Sequence, residues 1–164
     1  MAESFEVTDA DEIAHAATIR KRLHQSLILL QRFELASDTY APRGSSIAGD
    51  DMATTPFQTS HTVVTALTMA TENIRALHKL LLVDDQLVVP MYAHYPVMRS
   101  ILEAASLAKW ILGPVERRER VLRSLRARAE DITQDHSLRK HEIATLRSLD
   151  VIGADTDAWN RQIE

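Results

Sequence analysis

Between Val63 and Leu81 the apolar residues Val63, Leu67, Ala70, Ile74, Leu77 and Leu81 fall at alternating steps of four and three. That spacing holds them on one side of an α-helix for two heptads, and nothing else in the chain constrains the fold as strongly. A seam of this kind has to be buried against other helices at a shallow angle. Glu72, Arg75 and Lys79 occupy the opposite face.

Three further segments have a helical period. Asp9 and Glu12 have the spacing of a capping box ahead of Ala16, Ile19, Leu23, Leu30 and Phe33, which predicts a first helix over about 9–36. Pro96 opens a helix whose Val97, Ile101, Ala104, Ala105, Ala108, Ile111 and Leu112 form a broad apolar arc, so we expect it to sit centrally. Gly113-Pro114 then turns the chain, and Leu122, Leu125, Ala129 and Ile132 form the expected buried stripe of an arginine-rich helix. Run on to Asp150, that helix would be roughly 50 Å long at 1.5 Å per residue. We expect a break at Asp135-His136-Ser137, with Ser137 capping a separate short helix that ends at Gly153.

Residues 37–59 carry Pro42, Gly44, Gly49 and Pro56 among Ser, Thr and Asp without periodicity, which predicts a long mobile loop. The expected architecture is all-α: an antiparallel four-helix bundle over residues 1–150, with 151–164 as a C-terminal helical extension, the start of a truncated helix. With 164 residues, 45% hydrophobic and 26% charged, the chain has the material for one core.

Composition narrows the function. A formal charge of −4 gives no bulk attraction for nucleic acid. The absence of cysteine removes disulfides, thiolate metal sites and a thiol nucleophile. The acidic start Met1-Ala-Glu-Ser-Phe-Glu6 lacks a secretory pattern, and no apolar run reaches the length of a membrane span, so a cytoplasmic location is expected.

The motifs that invite a chemical reading are few. Of the seven histidines, His136 and His141 stand five apart and diverge by about 140° around a helix, and His61 and His78 are too distant to share an ion, so no metal site is expected. Gly44-Ser-Ser-Ile-Ala-Gly49 has the glycine spacing of a phosphate loop, but Asp50 and Asp51 stand where Lys and Ser or Thr are needed. The arginines of 117–128 are largely answered by Glu116 with Arg120, Glu119 with Arg123, Arg126 with Glu130 and Arg128 with Asp131. They read as a solvated, salt-bridged face.

The polar stripe of the third helix is the candidate site. Arg99, Glu103, Ser106 and Trp110 interrupt an apolar helix. The plain reading is an exposed face with an ordinary ion pair. The sharper one turns the stripe toward the groove between the second and third helices, near Arg75 or His78, where paired charges hold an anionic ligand or fix helix register.

The run from Tyr95-Pro-Val-Met-Arg99-Ser-Ile-Leu-Glu103 through Trp110-Ile-Leu-Gly-Pro114 to Glu119-Arg120-Val-Leu-Arg123 resembles uncharacterised all-helical proteins of actinobacteria, about a third of the chain being covered. The resemblance implies a helical bundle and no activity. A remoter one is to HEPN-like bundles, whose nucleases use Arg followed by His after four to six residues. Here the intervals are three between Arg20 and His24, two between Arg75 and His78, and seven between Arg128 and His136. We therefore expect a non-catalytic interaction or ligand-sensing module that self-associates, as a homodimer or with a protein partner, without cofactor. The alternative is a HEPN-like nucleotide- or RNA-directed enzyme.

Overall fold

Thr59–Leu81 is helical in the computed structural model, which describes residues 9–36 and 41–148. Within it Val63, Ala70 and Leu81 are buried and Leu67, Ile74 and Leu77 half-buried, so the seam faces inward. In chain order the described elements are α1 (Ala10–Ala36), α2 (Ser46–Thr54), α3 (Thr59–Leu81), β1 (Leu82–Val83), β2 (Gln86–Leu87), α4 (His94–Leu112) and α5 (Arg117–Ser148). The all-α class is thus as expected, with five helices among the described residues. None of these is long and apolar enough to cross a membrane.

The hub is α3, against which α1, α2, α4 and α5 all pack. Its main partner is α4, and the small residues Ala66 and Ala70 on one helix and Ala104 and Ala108 on the other are all buried. The core proper comprises Val63, Ala66, Ala108 and Ile111, with Leu67, Leu107 and Ala127 packed around it. Centrality therefore belongs to α3 rather than α4, whose Met98, Leu102 and Leu112 remain exposed.

The connection from α3 to α4 contains a feature that periodicity missed. β1 and β2 pair antiparallel, Leu82 opposite Leu87 and Val83 opposite Gln86. Asp84 and Asp85 between them have φ of 50° and 62°. Two successive left-handed residues are what a two-residue type I′ hairpin needs, and aspartate tolerates that region better than most side chains.

Three sequence expectations are corrected. The segment 37–59 is not a continuous loop: residues 46–54 form α2, capped by Ser45, whose Oγ accepts the Ala48 N–H at 3.3 Å, and Asp50, Thr54, Thr59 and Ser60 are buried. Residues 37–40 lie outside the described part. Second, α5 runs unbroken through Asp135-His136-Ser137, because none of the three is a helix breaker and local bonds stitch the turn. Arg139 Nε lies 3.1 Å from Asp135, and the His141 Nδ1–H donates to the Ser137 carbonyl at 3.0 Å. The expected end at Gly153 and the extension 151–164 lie outside the described residues.

Third, α5 is rotated from its expected register. Leu122, Leu125, Ala129 and Ile132 are exposed, whereas Arg120 and Ser124 are buried and Ala127 half-buried. The helix turns a polar and small face inward because α2 offers a carboxylate there rather than an apolar surface. On α1, Leu23 and Leu30 are buried as the period requires, Ile19 is exposed, and Asp9 Oδ1 caps the helix by accepting the N–H groups of Asp11 at 2.8 Å and Glu12 at 3.3 Å.

Candidate functional site

The sequence-derived stripe of α4 divides in two. Arg99 donates from Nε to Glu103 Oε1 at 2.7 Å, with both side chains mostly in water (79% and 62% exposed). The Glu103 hydrogen bond, then its charge, raises the pKa of Arg99. Ser106 is exposed, and Trp110 lies under the Arg123 guanidinium, 5.3 Å from the ring centre. Arg75 is not drawn to this stripe but pairs with Glu72 on its own helix and with Glu34 of α1. His78 meets the edge of His24 of α1 at 5.9 Å between ring centres, and its buried Nε2 has no hydrogen-bond partner among the described residues. The sharper sequence reading, which put Arg99 and Glu103 near Arg75 or His78, is therefore corrected: Arg75 and His78 serve the α1–α3 junction.

The arginine run is corrected as well. Arg120 does not answer Glu116 in solvent. It is buried, and its Nε and NH2 donate to Asp50 Oδ2 at 2.6 Å and Oδ1 at 3.0 Å, while NH1 donates to the carbonyls of Pro114 and Val115. Asp50 is fully buried, and Arg117 Nε also stands 3.5 Å from its Oδ1. Gly49 accommodates this approach, since a Cβ there would meet the Arg117 guanidinium. Arg123 donates to Glu119 at 2.9 Å and, through NH1, to the Trp110 carbonyl at 2.8 Å, joining α5 to the last turn of α4. Asp51, the neighbour of Asp50, accepts the Ser60 N–H at 2.7 Å and caps α3. The two carboxylates that spoil the phosphate-loop pattern are thus the anchors of α2.

Glu103 does line a groove, of about 590 Å³, on another side of the helix pair from Arg75 and His78. Pro56, Phe57 and Gln58 form one end at the corner between α2 and α3. His61, Thr62, Thr65, Ala66 and Met69 supply the α3 wall, Ser100, Glu103, Ala104 and Leu107 the α4 wall, and Arg128, Asp131 and Gln134 the α5 wall. Each set recurs at helical intervals, so each helix turns one continuous face to the groove. The buried alanines Ala66 and Ala104 leave the space. Apolar surface comes from Phe57 and Met69, both substantially exposed.

Charge sits at the rim in compensated pairs. Arg128 lies over the Phe57 ring at 5.6 Å and 4.0 Å from Asp131, while Glu103 holds Arg99. Such a groove can enclose an apolar body and meet polar ends of either sign. His61 is exposed and has no hydrogen bond among the described residues to orient it as a base. No group of three His, Asp or Glu side chains among the described residues is placed to hold a metal ion. Of these residues only Glu103 stood out in sequence as a ligand candidate. The polar faces of α3 and α5 are periodic, but periodicity does not say which faces meet.

Of the three HEPN-like pairings, Arg20 with His24 and Arg75 with His78 meet at the α1–α3 junction through the edge contact of the two histidines, whereas the third lies on α5. Arg20 and His24 lie exposed on α1, where the His24 Nδ1–H donates to the Arg20 carbonyl at 2.9 Å. Arg128 and His136 lie on α5, with Arg128 at the groove and His136 in the exposed part of the helix. No family model matches the chain, and no curated protein and no solved structure matches it either.

Proposed function

We propose that the chain is a non-catalytic, self-associating helical module that takes a small amphipathic molecule into the groove between α3, α4 and α5. The observation that carries this reading is a groove walled by three helices, with a small-residue floor at Ala66 and Ala104, an aromatic end at Phe57 and a rim of paired charges from α4 and α5. Ligand sites are concave, largely apolar and provided with a few polar groups that fix orientation. Arg128 is placed to take an anionic end, and Glu103 and Asp131 to take donors. A cysteine-free chain suits a reducing compartment, which supports a cytoplasmic setting.

A fluorescent probe tests the groove. 1-Anilinonaphthalene-8-sulfonate combines an aromatic body with one anion and should bind the parent protein with enhanced emission. Thr65 is exposed on the α3 wall, so Thr65→Trp fills the groove from its rim without entering the core. The variant should keep the parent melting temperature and lose the enhancement. Equal emission from both proteins would remove the groove as the binding site. Native mass spectrometry of the purified protein should show a copurified small molecule in the parent and none in Thr65→Trp.

A further inference from the structure

Leu122, Ala129, His136 and Ile143 recur every seven residues along α5, and Leu125, Ile132, Arg139 and Leu146 follow each of them by three. This is a heptad pattern whose apolar positions are exposed at Leu122, Leu125, Ala129, Ile132 and Leu146 and half-buried at Ile143. Leu122 is 37% exposed, Leu125 38%, Ile132 49% and Leu146 40%. Leu122 lies roughly 160° around the helix from both Arg120 and Ser124, the residues by which α5 docks on the rest of the chain. Leu122 and Ala129 therefore point away from the molecule's own core, Leu125 and Ile132 lie on the flank of the docking face, and beyond Arg128 nearly all of the helix is exposed.

We infer that this face of α5 pairs with the same face of a second copy of the chain as a parallel two-stranded coiled coil. The charges flanking the stripe select the occupant and its direction. Taking Leu122 as position a, Arg126, Thr133, Lys140 and Arg147 occupy the e positions, and Arg128, Asp135 and Glu142 the g positions. In a parallel pair each g faces the e of the partner's next heptad, which sets Asp135 against Lys140. In an antiparallel pair the e positions face one another, and every e residue here is cationic or neutral. His136 and Arg139 interrupt the apolar repeat in its third heptad. A polar residue at an a position lowers the stability of a coiled coil and fixes its register. Arg139 is already held by Asp135 at 3.1 Å.

The inference deepens the self-association in the proposed function and is independent of what fills the groove. Sedimentation equilibrium of the full chain should show a dimer. Leu125→Glu with Ile132→Glu changes exposed residues, so the doubly substituted chain should keep its helical circular dichroism while its association weakens about a hundredfold or more. Direction is read by Leu146→Cys, which introduces the chain's sole thiol. In a parallel pair the two thiols face each other and mild oxidation yields a covalent dimer; in an antiparallel pair they lie at opposite ends and it does not. A monomeric parent, a dimer indifferent to the two glutamates, or a dimer that does not cross-link at residue 146 would each overturn the inference. None of these results bears on the comparison made with Thr65→Trp.

Discussion

Asp50 grips Arg120 across a separation of 70 positions in the chain, each carboxylate oxygen receiving one edge of the same guanidinium. The pair is out of water, and its remaining donor, Arg120 NH1, is spent on the carbonyls of Pro114 and Val115. The bidentate geometry and the satisfied donors meet the conditions under which an ion pair survives burial.

Removing Asp50 should strand Arg120, and removing Arg120 should leave Asp50 only its longer, 3.5 Å contact with Arg117. Arg120→Ala or Asp50→Ala is expected to lower stability by about 3–5 kcal/mol in urea unfolding, the usual range for an orphaned buried charge. A loss under about 1 kcal/mol would class the pair with surface salt bridges. This reverses what the sequence suggested, that Arg120 stands in a solvated, salt-bridged face.

The same contact sets a pH signature. The hydrogen bond to Asp50, joined by its charge and opposed by burial, raises the pKa of Arg120. A cation held more tightly in the folded state stabilises fully below its unfolded pKa, and the contribution is lost as pH rises through the folded one, here only in strong alkali. Arg120→Lys moves that window down, because lysine loses its proton from about pH 10.4. Urea midpoints followed against pH should show the lysine variant declining in alkali before the parent does.

Asp51→Ala should cost about 1 kcal/mol, the ordinary worth of a helix cap, because its carboxylate takes the Ser60 N–H in the first turn of α3. Asp51→Asn should retain most of that stability. If the two variants melt alike and well below the parent, the carboxylate's charge matters more than its cap.

Ile111 is fully buried in the core, and Ile111→Ala should cost about 2–5 kcal/mol. In a urea titration at a concentration where the chain is monomeric, Leu125→Ala should leave the midpoint close to that of the parent, since Leu125 is exposed. Equal effects would mean that α5 is rotated toward the register expected from its apolar stripe.

Arg99→Ala should leave the melting temperature unchanged, because Arg99 stands in water beside Glu103. A clear fall would give this pair the structural weight that the sharper sequence reading attached to it.

The chain's helices were legible where an apolar period coincided with a cap or a breaker. α1 and α3 have nearly the expected bounds for that reason, and the type I′ hairpin escaped because two strand residues on each side are too few to show a period. α2 escaped for a different reason: its buried positions are Asp50 and Thr54, polar residues that a period in hydrophobicity does not register. The rotation of α5 has the same origin. Four well-spaced apolar residues outweighed Arg120 in the sequence, whereas the fold is decided by a carboxylate distant in the chain. Glu103 stood out in the sequence and lines the groove, while the other lining residues Phe57, Thr65 and Arg128 did not stand out, because they become its neighbours only once the helices pack.

The 70 positions between Asp50 and Arg120 also order the events by which the chain folds. α3 and α4 are joined by a short hairpin connection and meet at little entropic cost, whereas closing α2 onto α5 requires a far longer loop. The α3–α4 unit is therefore expected to form early and the buried charge pair late, which φ-values at Ala108 and Arg120 would check. On that order, substitutions at Asp50 or Arg120 should act chiefly on the rate at which the molecule comes apart, and those at Val63 or Ala108 on the rate at which it assembles.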